Sequence, residues 1–114
     1  MKQTVANSSG QIVQKTMKDK KLLCSEKEMR AHIEQLMETQ GGICKLTGLR
    51  MHLDKQDGAD NDMLVSLDRI DSDGHYEIGN VQLVCRFVNF WKSSQGNGRF
   101  LELLDRIVEH RKLS

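Results

Sequence analysis

"SLDRIDSDGHYEIGNVQLVCRFVNFWKS", residues 66–93, is the stretch on which the fold turns. Within it, positions 67–80 crowd four acids, an arginine and a histidine into fourteen residues. Three readings compete for that polar run: a calcium loop, a plain turn between two strands, and part of a catalytic metal site. An EF-hand loop needs glycine at its sixth position, oxygen ligands at the first, third and fifth, and a bidentate Glu at the twelfth. With Gly74 as the sixth, Asp71 and Asp73 fall correctly, but Arg69 stands first and Asn80 twelfth. A cation in place of the first oxygen excludes the calcium loop. Turn chemistry fares better, because Asp73-Gly74 and Gly79-Asn80 are both good turn pairs. A turn alone, however, leaves Asp68 and Arg69 inside an apolar strand, where charge is costly unless paired or metal-bound.

Working outward, "MLVSLDRI" (63–70) is a strand candidate. "NVQLVC" (80–85) alternates apolar and polar, with Val81, Leu83 and Cys85 on one face. "RFVNFWKSS" then begins a helix whose expected buried side is Phe87, Val88 and Trp91. Upstream, Ser25 and Glu28 have the spacing of a capping box. Met29, Ile33, Leu36 and Met37 follow at helical intervals, and Gly41-Gly42 suits a left-handed end, so a helix is predicted over about 26–40. "ICKLTGLRMHL" (43–53) reads as a short hairpin turning at Thr47-Gly48, and 54–62 as an acidic loop. "GRFLELLDRIVEHRK" is a final amphipathic helix, with Phe100, Leu103, Leu104 and Ile107 as its core stripe. Helices with a few short strands predict a small α+β domain. Residues 1–22 form a basic arm or weak helix, and 23–114 form the domain.

Among 114 residues, 38% are apolar and 29% charged, which fits a folded domain and argues against a disordered chain. No run reaches the roughly 20 apolar residues of a membrane span, and the start lacks a signal-peptide core, so a cytoplasmic protein is expected. The net charge of +1 hides a pattern. Residues 1–52 carry nine bases and five acids, 53–78 two and eight, and 86–114 six and three. An acidic centre between basic flanks suits a metal enzyme acting on a polyanion, and it equally suits ordinary solvated surface. Cys24, Cys44 and Cys85 are odd in number and lack a CxxC spacing, which argues against a disulfide framework and a two-pair structural zinc.

From "GICKLTGLRM" to "SLDRIDSDGHYEIGNVQLVCRFVNFWKS", the chain resembles the His-Asn-His (HNH) endonucleases, a family with a ββα-metal fold. It is most similar to the branch whose first motif reads Ser-Leu-Asp-Arg-Ile-Asp. The resemblance covers roughly residues 41–95. It implies an HNH-like core with flanking N- and C-terminal helices, which hydrolyses phosphodiester bonds in DNA. It also implies one divalent cation, magnesium or manganese, held by Asp68 on the strand and Asn89 on the helix, with Asn80 bracing the loop. Such oxygen ligands suit a hard cation. Zinc-binding relatives begin a CxxC where Cys44 stands, but the third residue on is Thr47, so no structural zinc is expected.

The departure from the family lies directly after Asp68. Where the better-known members carry the His that deprotonates water, this chain has Arg69. A guanidinium stays protonated at neutral pH, so Arg69 is left to clamp phosphate or to brace Asp68. His75, in the loop between the strands, is the replacement base on offer. Asp71 and Asp73 read as turn residues, and His52 as a neighbour of the site. Arg69, Arg86, Lys92 and Arg99 are the candidate DNA contacts. The resulting expectation is a metal-dependent DNA endonuclease. The alternative is a catalytically weak or inactive nucleic-acid-binding module on the same fold. Nothing in the sequence indicates a homo-oligomer.

Overall fold

The computed structural model describes residues 24–53 and 60–113. The basic arm expected at 1–22 and positions 54–59 of the acidic loop lie outside the described residues. The rest is a small α+β domain of three helices and one two-stranded antiparallel sheet.

Local chemistry sets the first helix, α1 (Glu26–Gln40). Ser25 Oγ accepts from the Glu28 N–H at 3.0 Å, and the Ser25 N–H donates to Glu28 Oε1 at 3.2 Å. The bond from Ser25 holds the Glu28 carboxyl below its ordinary range. At the other end Gly41 takes φ 64° and donates to Glu38 O, a left-handed cap that glycine accepts without strain. Met29, Ile33 and Met37 are buried, three residues of the predicted stripe. Gln40, the last residue of α1, then acts as a sheet edge. Its Nε2 donates to Ile43 O and Leu83 O, both at 2.9 Å, and its Oε1 accepts from Leu83 N at 3.1 Å.

Residues 43–53 close the expected hairpin in minimal form, by one antiparallel bridge around a turn at 45–47 with no extended strand. Single bridges join Ile43 to Arg50 and, in parallel sense, His52 to Leu64, with Gly48 at φ 77°. The sheet proper pairs β1 (Val65–Arg69) with β2 (Val81–Cys85), and Asp68 stands opposite Gln82. A short 3₁₀ turn, Ile78–Asn80, leads into β2. Helix α2 (Arg86–Lys92) follows β2 directly, and α3 (Asn97–Leu113) ends the described chain.

All five residues of β2 are buried, not only the expected Val81, Leu83 and Cys85. Neighbouring residues of a strand face opposite sides, so a strand covered on one side alone would alternate. Here α1 covers one side and α2 the other, which buries Gln82 and Val84 as well. Two helix expectations need correction. On α2, Val88 and Lys92 are buried, Phe87 is half-buried, and Trp91 is 58% exposed, its ring edge-on to Phe87 at 5.6 Å. On α3, Phe100 is buried and Leu103 and Leu104 are half-buried, but Ile107 is exposed because the helix runs past the core. No described helix is long and apolar enough to cross a membrane.

Cys44 and Cys85 are buried as free thiols, and the Cys85 N–H donates to Cys44 Sγ at 3.4 Å. Burial first, and then the neighbouring Cys44, push the Cys85 thiol from an ordinary 9.0 up to about 12. The folded state therefore binds this proton more tightly than the unfolded chain does. Its contribution to stability is complete below pH 9.0 and is lost as pH rises towards about 12. We expect denaturant midpoints to fall through that alkaline window, and to fall less steeply in Cys85→Ala. In native protein, a thiol reagent should label half-buried Cys24 well before Cys44 or Cys85.

Candidate functional site

The pairing of Asp68 with Gln82 sets the site's inner face. Strand alternation puts Ser66, Asp68, Gln82 and Val84 on the side covered by α2, and Leu67, Arg69, Leu83 and Val81 on the side towards α1. Asp68 is only 3% exposed. Its partner is Lys92, the last residue of α2, which is fully buried and places Nζ 2.7 Å from Asp68 Oδ2. Lys92 Nζ also donates to the Arg69 carbonyl oxygen. Gln82 Nε2 donates to the same Asp68 oxygen at 2.8 Å and to Asn97 Oδ1 at 2.9 Å, and Asn97 Nδ2 returns a bond to Gln82 Oε1 at 3.2 Å. This network answers the question that the sequence raised about a charge inside an apolar strand. Among the described residues no buried side-chain nitrogen or oxygen lacks a partner.

Lys92 thus stands elsewhere than its role as a DNA contact required. It faces inward because Asp68 needs a counter-charge, and a fully buried ammonium does not reach a phosphate in this arrangement. Sequence reading also missed Gln82 and Asn97. The signal was present, since a buried acid requires a partner and Lys92 lies one turn from Val88 on the same helix stripe. Ser93 follows with φ 50° and ψ −121°, the sole non-glycine at positive φ among the described residues. That backbone region is costly for a residue with a Cβ, typically by about 1–3 kcal/mol.

Asn89 lies one turn before Lys92 and reaches the same side of β1. Its Nδ2 donates to Ser66 Oγ at 2.7 Å and to the Leu67 carbonyl at 3.1 Å. A carbonyl only accepts, so this fixes which end of the amide faces the strand. Both amide hydrogens are used, and Oδ1 is the remaining polar function.

Asn80 braces the loop between the strands. Its Oδ1 accepts from Asp71 N at 2.9 Å, and its Nδ2 donates to Asp71 O at 3.1 Å and to His75 O at 3.0 Å. Asp71 Oδ1 accepts from Asp73 N at 3.0 Å, a side-chain turn. Ser72 Oγ ties the loop to Gln95 O at 2.7 Å. Gly74 is required by contact: a Cβ there would meet Asn80 Nδ2 at 2.7 Å.

Arg69 faces away from Asp68 on the alternating strand. Its guanidinium donates to Gly74 O at 2.9 Å and lies 5.2 Å from the centre of the Tyr76 ring. It braces the loop. His75 is exposed at the loop surface. His52 Nδ1 accepts from Asp60 N at 3.1 Å, which commits that ring to the turn before β1. Arg86 is exposed at the start of α2, and Arg99 is exposed on α3 and paired with Glu102 at 3.0 Å. The structure therefore gathers Asp68, Asn89 and Lys92 against one face of β1, and Asn80, Arg69 and His75 around the loop.

Among the described residues, no group of three or more His, Cys, Asp or Glu stands close enough to hold a metal ion. Comparisons with protein-family models, curated proteins and solved structures give no match to this chain.

Removing the Asn80 amide takes away three loop hydrogen bonds, although Asp71 O keeps the one from the Gly74 N–H. We expect Asn80→Ala to cost about 0.5–1.5 kcal/mol, because water reaches these exposed groups, and to speed amide exchange at Asp71, measured by denaturation and NMR. Gly74→Ala should loosen the same bonds by pressing a methyl group into the amide.

Proposed function

We propose that this chain is a metal-dependent endonuclease that hydrolyses phosphodiester bonds in DNA, on an HNH-like ββα core. The observation that carries the reading is the order strand, loop, strand, helix. It brings the Asn89 amide and the Asp68 carboxylate to one face of β1 while Asn80 ties the loop. Supporting the metal is the chemistry of the donors. The Asp68 carboxylate and the Arg69 carbonyl already hold a cation, the Lys92 ammonium, with oxygen alone. Asp68 and the Asn89 Oδ1 are the ligands in this reading, a set suited to magnesium or manganese.

When bound, a divalent cation supplies charge stabilisation at the phosphate and its leaving oxygen. The chain's own residues supply the rest. Asn80 fixes the loop, Arg69 stiffens it from the other side through Gly74 and Tyr76, and exposed Arg86 and Arg99 are free of the core to meet the DNA backbone. His75, exposed on that loop, takes the proton of the attacking water. A second reading, DNA binding without cleavage, is favoured by two observations: Lys92 neutralises Asp68, and Arg69 stands where the resemblance implies a base.

Supercoiled plasmid separates the two. We expect nicking with magnesium or manganese that stops with EDTA and falls about 10²–10³-fold in Asn89→Ala, whose substitution leaves the buried ion pair intact. Asp68→Ala should lose activity too, with circular dichroism checking that it stays folded. Cleavage that survives EDTA, or that is unchanged in folded variants, sinks the metal-dependent reading of this site. Retardation of DNA without nicking supports the binding module. Full activity in His75→Ala removes His75 as base.

A further inference from the structure

We propose that α3 is a self-association surface, on which a second copy of this chain packs its own α3 in antiparallel sense. The inference stands apart from the endonuclease reading and holds equally for a domain that cleaves DNA or only binds it. α3 has 17 residues and is about 25 Å long, yet Phe100, near its start, is its one buried residue. Leu103 and Leu104 are half-buried, and beyond them the helix runs past the core. The apolar stripe continues where the core has ended. Leu101, Leu104, Ile107 and Val108 recur at helical spacing, and all but Leu104 are exposed. The opposite side is polar and already committed, with Glu102 3.0 Å from both Arg99 and Arg106. A helix in water draws most of its stability from packing its apolar side, so a stripe left in solvent over the later turns favours a partner.

Charge identifies that partner. Asp105 and Lys112 flank the stripe on the side of Val108, and both are exposed and without an ion pair among the described residues. Along one helix they stand seven residues apart, about 10.5 Å, too far to pair with each other. A two-fold axis near Val108 brings them together. Residues equally distant from the axis then face one another, so Asp105 of each copy meets Lys112 of the other. Val108 packs on its own counterpart, and Leu104 lies over the last turn of the facing helix. That last turn is basic, with His110, Arg111 and Lys112, and it comes to rest beside an acidic residue of the other copy. A parallel pairing would instead set Asp105 against Asp105 and Lys112 against Lys112. The patch is therefore complementary to itself in one sense only, the condition of an isologous dimer. A few turns of one helix fall short of the roughly 800 Å² per partner of a standard interface, so the dimer forms weakly and with rising concentration.

The test is sedimentation equilibrium of the full chain from micromolar to millimolar concentration. The native chain should pass reversibly from monomer to dimer over that range. Asp105→Lys and Lys112→Asp each set like charges together across the axis and should weaken pairing roughly fivefold or more. Both changes in one chain restore opposite charges and should recover most of the native affinity. Val108→Lys should leave only monomer. All three side chains are exposed, and circular dichroism should show each variant folded. A native chain that is monomeric throughout overturns the proposal and leaves the stripe to another segment of the chain or to another protein. A dimer indifferent to Val108→Lys, or a double exchange that pairs no better than the single ones, overturns it as well. On the native chain itself, concentration-dependent amide shifts should cluster within 101–112, and shifts confined to other residues count against the pairing.

Discussion

A single buried ion pair, Asp68 with Lys92, joins the sheet of this domain to the helix that follows it. Two charges in a site this enclosed lose their hydration, and only good geometry with further hydrogen bonds offsets that loss. The structure supplies both. The ammonium has the Arg69 carbonyl as a second acceptor, and the carboxylate has Gln82, which Asn97 steadies in turn. The strand, the opposing strand and the short helix thus meet at one oxygen atom, and the start of the last helix joins them through Gln82. In a domain of this size the arrangement specifies how α2 sits on β1, which apolar packing of one buried valine would leave loosely defined.

Much of the remaining fold follows from local rules visible in the sequence. The bounds of α1 were legible because Ser25, Glu28 and Gly41 act within a few residues of themselves. The strands fell within the predicted runs, and the loop chemistry of Asp71, Asp73, Gly74 and Asn80 is local as well. What was not legible depends on contacts distant in the chain. A seven-residue helix has too few turns for its periodicity to choose a face, so Phe87, Val88 and Trp91 read as the inward side. The charge on Asp68 made the choice instead: it drew Lys92 inward and left Phe90 and Trp91 in solvent. Gln40 is a similar case, a polar helix-terminal residue that extends the sheet by pairing with both backbone groups of Leu83.

The same distinction applies to the candidate site. Asn80 as a loop brace could be anticipated from motif and turn chemistry, and its three hydrogen bonds explain why an amide is needed there. Arg69 shows what a cation beside Asp68 does in structural terms. Its guanidinium, directed at Gly74 and Tyr76, ties the strand end to the loop.

The packing of α2 on β1 depends on the coupling between Asp68 and Lys92. A double-mutant cycle in metal-free buffer, with Asp68→Leu, Lys92→Met and both together, measures it by denaturant unfolding. Each single change strands a buried charge and is expected to cost about 3–5 kcal/mol, while the double change should recover most of that. A double variant whose loss equals the sum of the two singles would contradict the central role of the pair.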